Sequence, residues 1–259
     1  MGNLINNSEK WFLTQRRNPA AKINVFCFHH AGGAASFYKN WSAALSSQVQ
    51  LISVQMPGRE SRYGEAFAES LEAMVSEMLQ YKAVFADKPF AMFGHSLGAL
   101  FAFELARQLA NHAGLAPRFV VASGHGAPRR GPPEELLHHL PDDRFIAKMR
   151  EKYGGISDEV MNSPELLEFL LPRFRADIRI AEQHASREGA PVRFPVVVLH
   201  GRGDHSVSTD ELLGWQKETH ARVRIHEFDG DHFFIESSES QVIGMLNKLL
   251  ADQLWGMAA

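Results

Sequence analysis

The sequence predicts an α/β fold with a mostly parallel central sheet covered by helices on both faces. Two observations predict it. Short, almost wholly apolar runs recur along the chain, as strands buried on both faces require. Amphipathic segments of helical periodicity lie between them, and strands that alternate with helices pair in parallel. The length, 259 residues, suits one such domain, 1–259.

The elements follow in order. Ile23–Phe28 (INVFCF) is the first core strand and Val49–Val54 (VQLISV) the second. Pro89–Phe93, Phe119–Ala122, Pro195–His200 and Val223–Phe228 complete the set. Helical patterns cover Ser70–Phe85, Ser96–Ala110, Thr209–Thr219 and Ser240–Leu254. One interval breaks the rhythm. About 70 residues separate the fourth and fifth strands, with helical patterns at Asp142–Tyr153, Pro164–Leu171 and Pro172–Arg187 and no convincing strand. That is too long for a crossover and reads as a helical lid, 126–193, inserted before the fifth strand. Glycine and proline at Gly126-Ala127-Pro128, Gly131-Pro132-Pro133 and Gly154-Gly155 suit hinges. The plainer alternative is two crossover helices and a long loop.

Composition excludes several classes. Lys+Arg total 27 and Asp+Glu 30, a net charge of −3, so no basic surplus exists to neutralise nucleic-acid phosphates. Hydrophobic residues at 45% and charged residues at 22% rule out disorder. A single cysteine, Cys27, excludes an intrachain disulfide, and its place in a core strand reads as a small buried residue. No apolar run reaches the roughly 18 residues a membrane span needs. The N-terminus is polar, and Asn6 stands where a myristoylation signal has Ser or Thr. The expected location is the cytoplasm.

Residues 94–98 read Gly94-His95-Ser96-Leu97-Gly98, with an apolar strand before and a helical pattern after. G-x-S-x-G in that context is a strand-to-helix turn that pushes a serine hydroxyl out at the carboxyl end of a sheet. A serine nucleophile needs a base and an acid, which follow it in this kind of fold in the order Ser, Asp, His. Of 13 histidines, His232 is singled out by its place just after the last strand; His200, His205 and His226 are the rivals, with His226 mid-strand. Asp204, in the glycine loop after the fifth strand, is the candidate acid, and Asp229 is next. The oxyanion needs donors. The N–H of Leu97 is one, and Ala31, in the small-residue loop His29-His30-Ala31-Gly32-Gly33, is the other, with Gly32 second.

These residues together resemble a known family. Phe28-His29-His30-Ala31-Gly32-Gly33, then Phe37-Tyr38 and Trp41, Pro57-Gly58-Arg59-Glu60, the GHSLG turn, Asp204, and Asp231-His232-Phe233-Phe234 look like a type II thioesterase. Such enzymes edit polyketide and nonribosomal peptide assembly lines. The likeness runs over nearly the whole chain and includes Tyr153-Gly154-Gly155 and Leu170 to Asp177 of the insertion. It implies an α/β-hydrolase fold with a helical lid. It also implies hydrolysis of aberrant acyl groups from the phosphopantetheine arm of an acyl or peptidyl carrier protein, without metal or other cofactor. Ser96, His232 and Asp204 take the roles of nucleophile, base and acid. The family often has proline where this chain has His29 and His205.

Arg59 and Arg62 are read either as meeting a phosphate or an acidic carrier surface, or as holding their own loop by local ion pairs. Gly32 and Gly33 are candidates to pass close to the pantetheine arm. His29-His30 and His138-His139 lack the spacing of metal ligands. The lid residues Leu136, Leu137, Phe145, Ile146, Met149, Leu167, Phe169, Leu170 and Phe174 recur at helical spacing and are expected to form lid core or line an acyl channel. Competing readings are a medium-chain fatty-acyl-carrier thioesterase or a product-releasing thioesterase, a general carboxylesterase or lipase, and a non-catalytic hydrolase-fold binding protein.

Overall fold

The computed structural model describes residues 8–129, 133–184 and 189–255. The N-terminal residues read for targeting signals, most of the 131–133 hinge and the end of the Pro172–Arg187 helix lie outside them. Seven strands form one sheet in the order β1-β3-β2-β4-β5-β6-β7. They are β1 (Phe12–Leu13), β2 (Ile23–Phe28), β3 (Val49–Val54), β4 (Phe90–His95), β5 (Val120–Ser123), β6 (Val196–Gly201) and β7 (Arg224–Phe228). All pairings are parallel except that of β1 with β3. Strand β1 is not anticipated from the sequence. Two residues carry no periodicity, and their position is set by pairing with Ser53 and Val54.

Helices α1 (Trp41–Ala44), α2 (Leu71–Leu79), α3 (Lys82–Ala86) and α4 (Leu97–Ala113) precede the insertion. The insertion carries α5 (Asp142–Tyr153), α6 (Asp158–Met161) and α7 (Pro164–His184); α8 (Thr209–Gly214), α9 (Phe234–Ser237) and α10 (Glu239–Trp255) follow. Strand β2 shows why the sheet needs both layers. Phe26 and Phe28 join one buried cluster with residues of α2 and α4. Val25 and Cys27, on the alternate positions, join the other with Trp41 and residues of α10. Period-two alternation with both faces apolar is what makes the run read as continuous hydrophobicity.

Three helical patterns depart from expectation: that at Thr209–Thr219 is α-helical only to Gly214, followed by a 3-10 turn at Trp215–Lys217. The 70–85 pattern is two helices, because Tyr81 (φ −98°, ψ 25°) interrupts the ladder between α2 and α3. After the break, Phe85 packs on Phe26 with ring centroids 4.6 Å apart and the planes tilted by 42°. Conversely, α7 runs unbroken through Pro172 instead of dividing there. Proline removes the bond to the Glu168 carbonyl. Both residues are solvent-exposed, so water can satisfy that carbonyl.

The insertion between β5 and β6 has its own apolar cluster, in which Leu137, Phe145, Ile146, Met149, Ile156, Phe174 and Ile178 are buried. Leu167 and Leu170 pack on its margin, whereas Leu136 and Phe169 are exposed. Among the described residues no helix is long and apolar enough to cross a membrane.

Candidate active site

The serine turn is built by sterics. Ser96 sits between the end of β4 and the start of α4 with φ 54° and ψ −121°, a left-handed φ that non-glycine residues rarely adopt. Its glycine neighbours make that turn possible. A Cβ on Gly94 would lie 2.0 Å from the Gly98 carbonyl oxygen, and one on Gly98 would lie 2.1 Å from the oxygen of Phe28. So α4 starts against the end of β2 only because position 98 has no side chain. Gly98→Ala is therefore expected to destabilise the fold by roughly 3 kcal/mol, the upper range for overpacking. Gly244→Ala, in α10 with nothing within 4 Å of the added methyl, is expected to stabilise by up to ~1 kcal/mol. Urea denaturation of the two variants checks the opposite signs.

Asp204 and His232 arrive from adjacent loops. Asp204 follows β6 and His232 follows β7. The loops are laced by Arg202 N–H to the Phe228 carbonyl (2.9 Å) and Gly203 N–H to the Gly230 carbonyl (2.8 Å). A Cβ on Gly201 would stand 2.3 Å from the Asp231 oxygen. Glycine there lets the two loops touch.

The result is a connected chain of polar side chains. The Ser96 Oγ–H points to His232 Nε2 at 3.0 Å. His232 Nδ1–H points to Asp204 Oδ2 at 2.8 Å. Asp204 Oδ1 accepts from the N–H (2.9 Å) and the hydroxyl (2.6 Å) of Ser206. Ser206 Oγ also lies 3.1 Å from His232 Nδ1. Burial works against ionising Asp204. The hydrogen bonds of His232 and Ser206 outweigh it and hold the carboxyl below its ordinary value. Asp229 is elsewhere, paired with Arg202 and highly exposed. Asp231 accepts the Phe233 N–H at 2.8 Å.

Two more imidazoles pack around His232. His95 stands 5.2 Å from its ring, and His30 contacts His95 and Phe233. Burial pushes His95 well below the usual histidine value, aided by the charge of His232. Burial likewise lowers His30 to about 4. Both are neutral near pH 7. Burial drives the Cys27 thiol up, so it is not an ionisable nucleophile.

Ser96 opens into a narrow pocket roofed by the insertion. Met149, Tyr153, Phe174, Ile178 and Ala181 form its lid side; Ala31, Leu97, Val207 and Phe233 form its core side. Ala31 and Leu97 thus both reach the pocket. The Leu97 N–H is at the start of α4, where helical amides lack intrahelical partners. Among the described residues, no group of three or more His, Cys, Asp or Glu is placed to hold a metal.

The structure corrects the reading of Arg59. It is neither at a phosphate-accessible surface nor in a local pair. It is 1% exposed and forms a bidentate ion pair with Asp177 of α7 (2.7 and 2.8 Å). Burying a guanidinium demands a buried carboxylate, and the chain supplies one 118 residues away. Arg62 does pair locally, with Glu65. Gly32 and Gly33 do not line the Ser96 pocket: the Gly32 N–H goes to Asp177, and the Gly33 carbonyl accepts from Arg59. Ser206 and Asp177 are the residues sequence reasoning passed over. An Asp-x-Ser step is a local turn signal that marks Ser206. Asp177 ends the Leu170–Asp177 stretch that carries the family likeness, but nothing local marks its pairing with Arg59.

The fold is that of the α/β-hydrolases, with a serine, a histidine and an aspartate in series at the carboxyl end of the sheet. Residues 23–250 match the model of the thioesterase domain family. The gramicidin S biosynthesis protein GrsT of Aneurinibacillus migulanus is 32% identical over 246 residues, covering 95% of this chain and 96% of that protein. A protein of Brevibacillus parabrevis named linear gramicidin dehydrogenase LgrE is 36% identical, covering 95% of each chain. The solved type II thioesterase BorB of the borrelidin cluster superposes with a TM-score of 0.81 at 30% identity, covering 93% of this chain and 97% of BorB. The chain belongs to the thioesterase family, and within it to the type II thioesterases associated with polyketide and nonribosomal peptide pathways. It is a thioester hydrolase.

Proposed function

We propose that the chain hydrolyses aberrant or stalled acyl groups from the phosphopantetheine arm of acyl or peptidyl carrier proteins in the cytoplasm, with Ser96 as nucleophile. The observation that carries this reading is the contact of Ser96 Oγ with His232 Nε2, backed by Asp204, on the floor of an apolar pocket. His232 Nε2 takes the serine proton as Oγ attacks the thioester carbonyl carbon. The negative charge that develops on the carbonyl oxygen is met by the N–H groups of Leu97 and Ala31. The intermediate collapses, the C–S bond breaks and the pantetheine sulfur leaves with the proton held by His232. A water, deprotonated by the same nitrogen, attacks the acyl-serine carbonyl; the C–Oγ bond breaks, His232 returns the proton to Ser96 Oγ and the carboxylic acid leaves. Asp204 holds the imidazole in the tautomer that frees Nε2 to accept. The name of the Brevibacillus relative does not change this reading. A serine, imidazole and carboxylate in series is the arrangement that activates a serine for acyl transfer, and the thioesterase-domain match covers residues 23–250.

The helical segment 126–193 serves in this reading as a lid that shapes the channel over Ser96. A carrier then adds binding energy remote from the reacting bond, and that energy raises kcat/KM. The same acyl group is expected to be cleaved with at least ~10-fold higher kcat/KM from its carrier protein than from N-acetylcysteamine. Equal values, with faster cleavage of a matched long-chain oxygen ester, would support a lipase-like enzyme instead.

A further inference from the structure

One turn of α7 closes on a single glycine. The Gly32 N–H donates to Asp177 Oδ2 at 2.7 Å. Arg173 Nη1 donates to the Gly32 carbonyl at 3.4 Å. The ring of Phe174 fills the space a Gly32 Cβ would need, with Cε1 2.0 Å from that position. Gly32 also has φ +76°, so no other residue fits there without strain.

The carboxylate that takes the Gly32 N–H is itself gripped. Arg59 Nη1 donates to the same Oδ2 at 2.7 Å, and Nη2 donates to Oδ1 at 2.8 Å. Arg59 Nη1 also donates to the Gly33 carbonyl at 3.1 Å. The two side chains are 2% and 1% exposed. Buried ion pairs of this kind contribute little net stability compared with apolar residues of similar volume. What this pair does is fix geometry. The Ala31–Gly32 peptide is held at both ends: His30 Nδ1–H donates to its carbonyl at 2.9 Å, and Asp177 accepts its N–H. That peptide fixes the carboxyl side of Ala31, a residue that lines the pocket.

We propose that Asp177, held by Arg59, is a positioning residue: it fixes the Ala31–Gly32 peptide so that the Ala31 N–H meets the oxyanion, and it makes that placement depend on the docking of α7. The proposal rests on the reading of Ser96 as nucleophile and of Ala31 as an oxyanion donor. It gives the lid a role in catalysis besides covering the pocket. It also ties the middle of α7 to the core whenever the site is competent, so motion of the lid falls to the segments before it.

The test removes the buried charges first, so that stability and positioning separate. Arg59→Met/Asp177→Asn keeps an amide oxygen to accept the Gly32 N–H; Arg59→Met/Asp177→Leu keeps none. Both are neutral, and their melting temperatures are compared beside kcat and KM on an N-acetylcysteamine thioester. The asparagine pair is expected to stay within ~5-fold of wild-type kcat, and the leucine pair to lose a further ~10- to 100-fold with KM within ~3-fold, below the full loss of an oxyanion donor. A boronic acid that forms a tetrahedral adduct on Ser96 is expected to weaken in parallel with kcat. Equal kcat in the two folded pairs, at any level, would overturn the proposal and leave Asp177 a purely structural residue. If the leucine pair does not fold, Arg59→Met/Asp177→Ala makes the same comparison. Failure of the underlying reading looks different: the wild-type enzyme would then not be labelled at Ser96 by a fluorophosphonate.

Discussion

Ser96→Ala is expected to lower kcat for thioester hydrolysis by roughly 10³-fold or more while the folded state survives. On the proposed mechanism the variant loses the atom that forms the acyl-enzyme, yet keeps the fold. Alanine at position 96 removes one half-buried hydroxyl and adds nothing to the crowded contacts of Gly94 and Gly98. The Ser96 N–H still donates to the Ser123 carbonyl at 2.8 Å, so the turn remains anchored. Residual activity would come from water and the oxyanion donors. Cys27→Ser is the matched control. Its sulfur lies fully buried in β2, with burial pushing the thiol pKa up, so turnover should stay within a few-fold. Near-normal hydrolysis by folded Ser96→Ala would require another nucleophile.

What the sequence revealed and what it hid follow from the range of the forces involved. The GHSLG turn was legible because its constraints are local. Position 94 meets position 98, and both lie in one short segment. Strands β2 and β3 were legible to the residue because burial on both faces makes them mainly apolar; Asn24, Gln50 and Ser53 are their only polar positions. The continuous α7 was not legible, since a proline normally ends a helix and only the exposure of Glu168 and Pro172 makes this one tolerable. The partner of Arg59 was hidden for the opposite reason. An ion pair that joins positions 59 and 177 leaves no trace in spacing; burial alone forces the match.

Asp204→Asn is expected to lower kcat by roughly 10³- to 10⁴-fold, whereas Asp229→Asn should stay within about 2-fold. The ranking follows from the hydrogen-bond directions. Asp204 receives three donors: the N–H and hydroxyl of Ser206 on Oδ1, and the Nδ1–H of His232 on Oδ2. A carboxylate accepts on both oxygens, but an amide has one acceptor and one donor group. In the variant the single oxygen stays with Ser206, whose two donors hold it, and the NH₂ group turns to His232. Nδ1 must then accept, which moves the imidazole proton to Nε2. That nitrogen can no longer take the proton of Ser96, so the nucleophile is left unactivated although every heavy atom stays in place. The opposite flip would leave the two Ser206 donors facing an NH₂ group in a buried site, which costs more than losing the one bond to His232. Asp229 has no such role. It is exposed and its carboxylate pairs with Arg202, an ion pair of little worth at a surface. Steady-state kinetics on the same thioester measure both variants. A larger loss in Asp229→Asn than in Asp204→Asn would transfer the acid role to the loop beside His232 and invalidate the geometry assigned to Ser206.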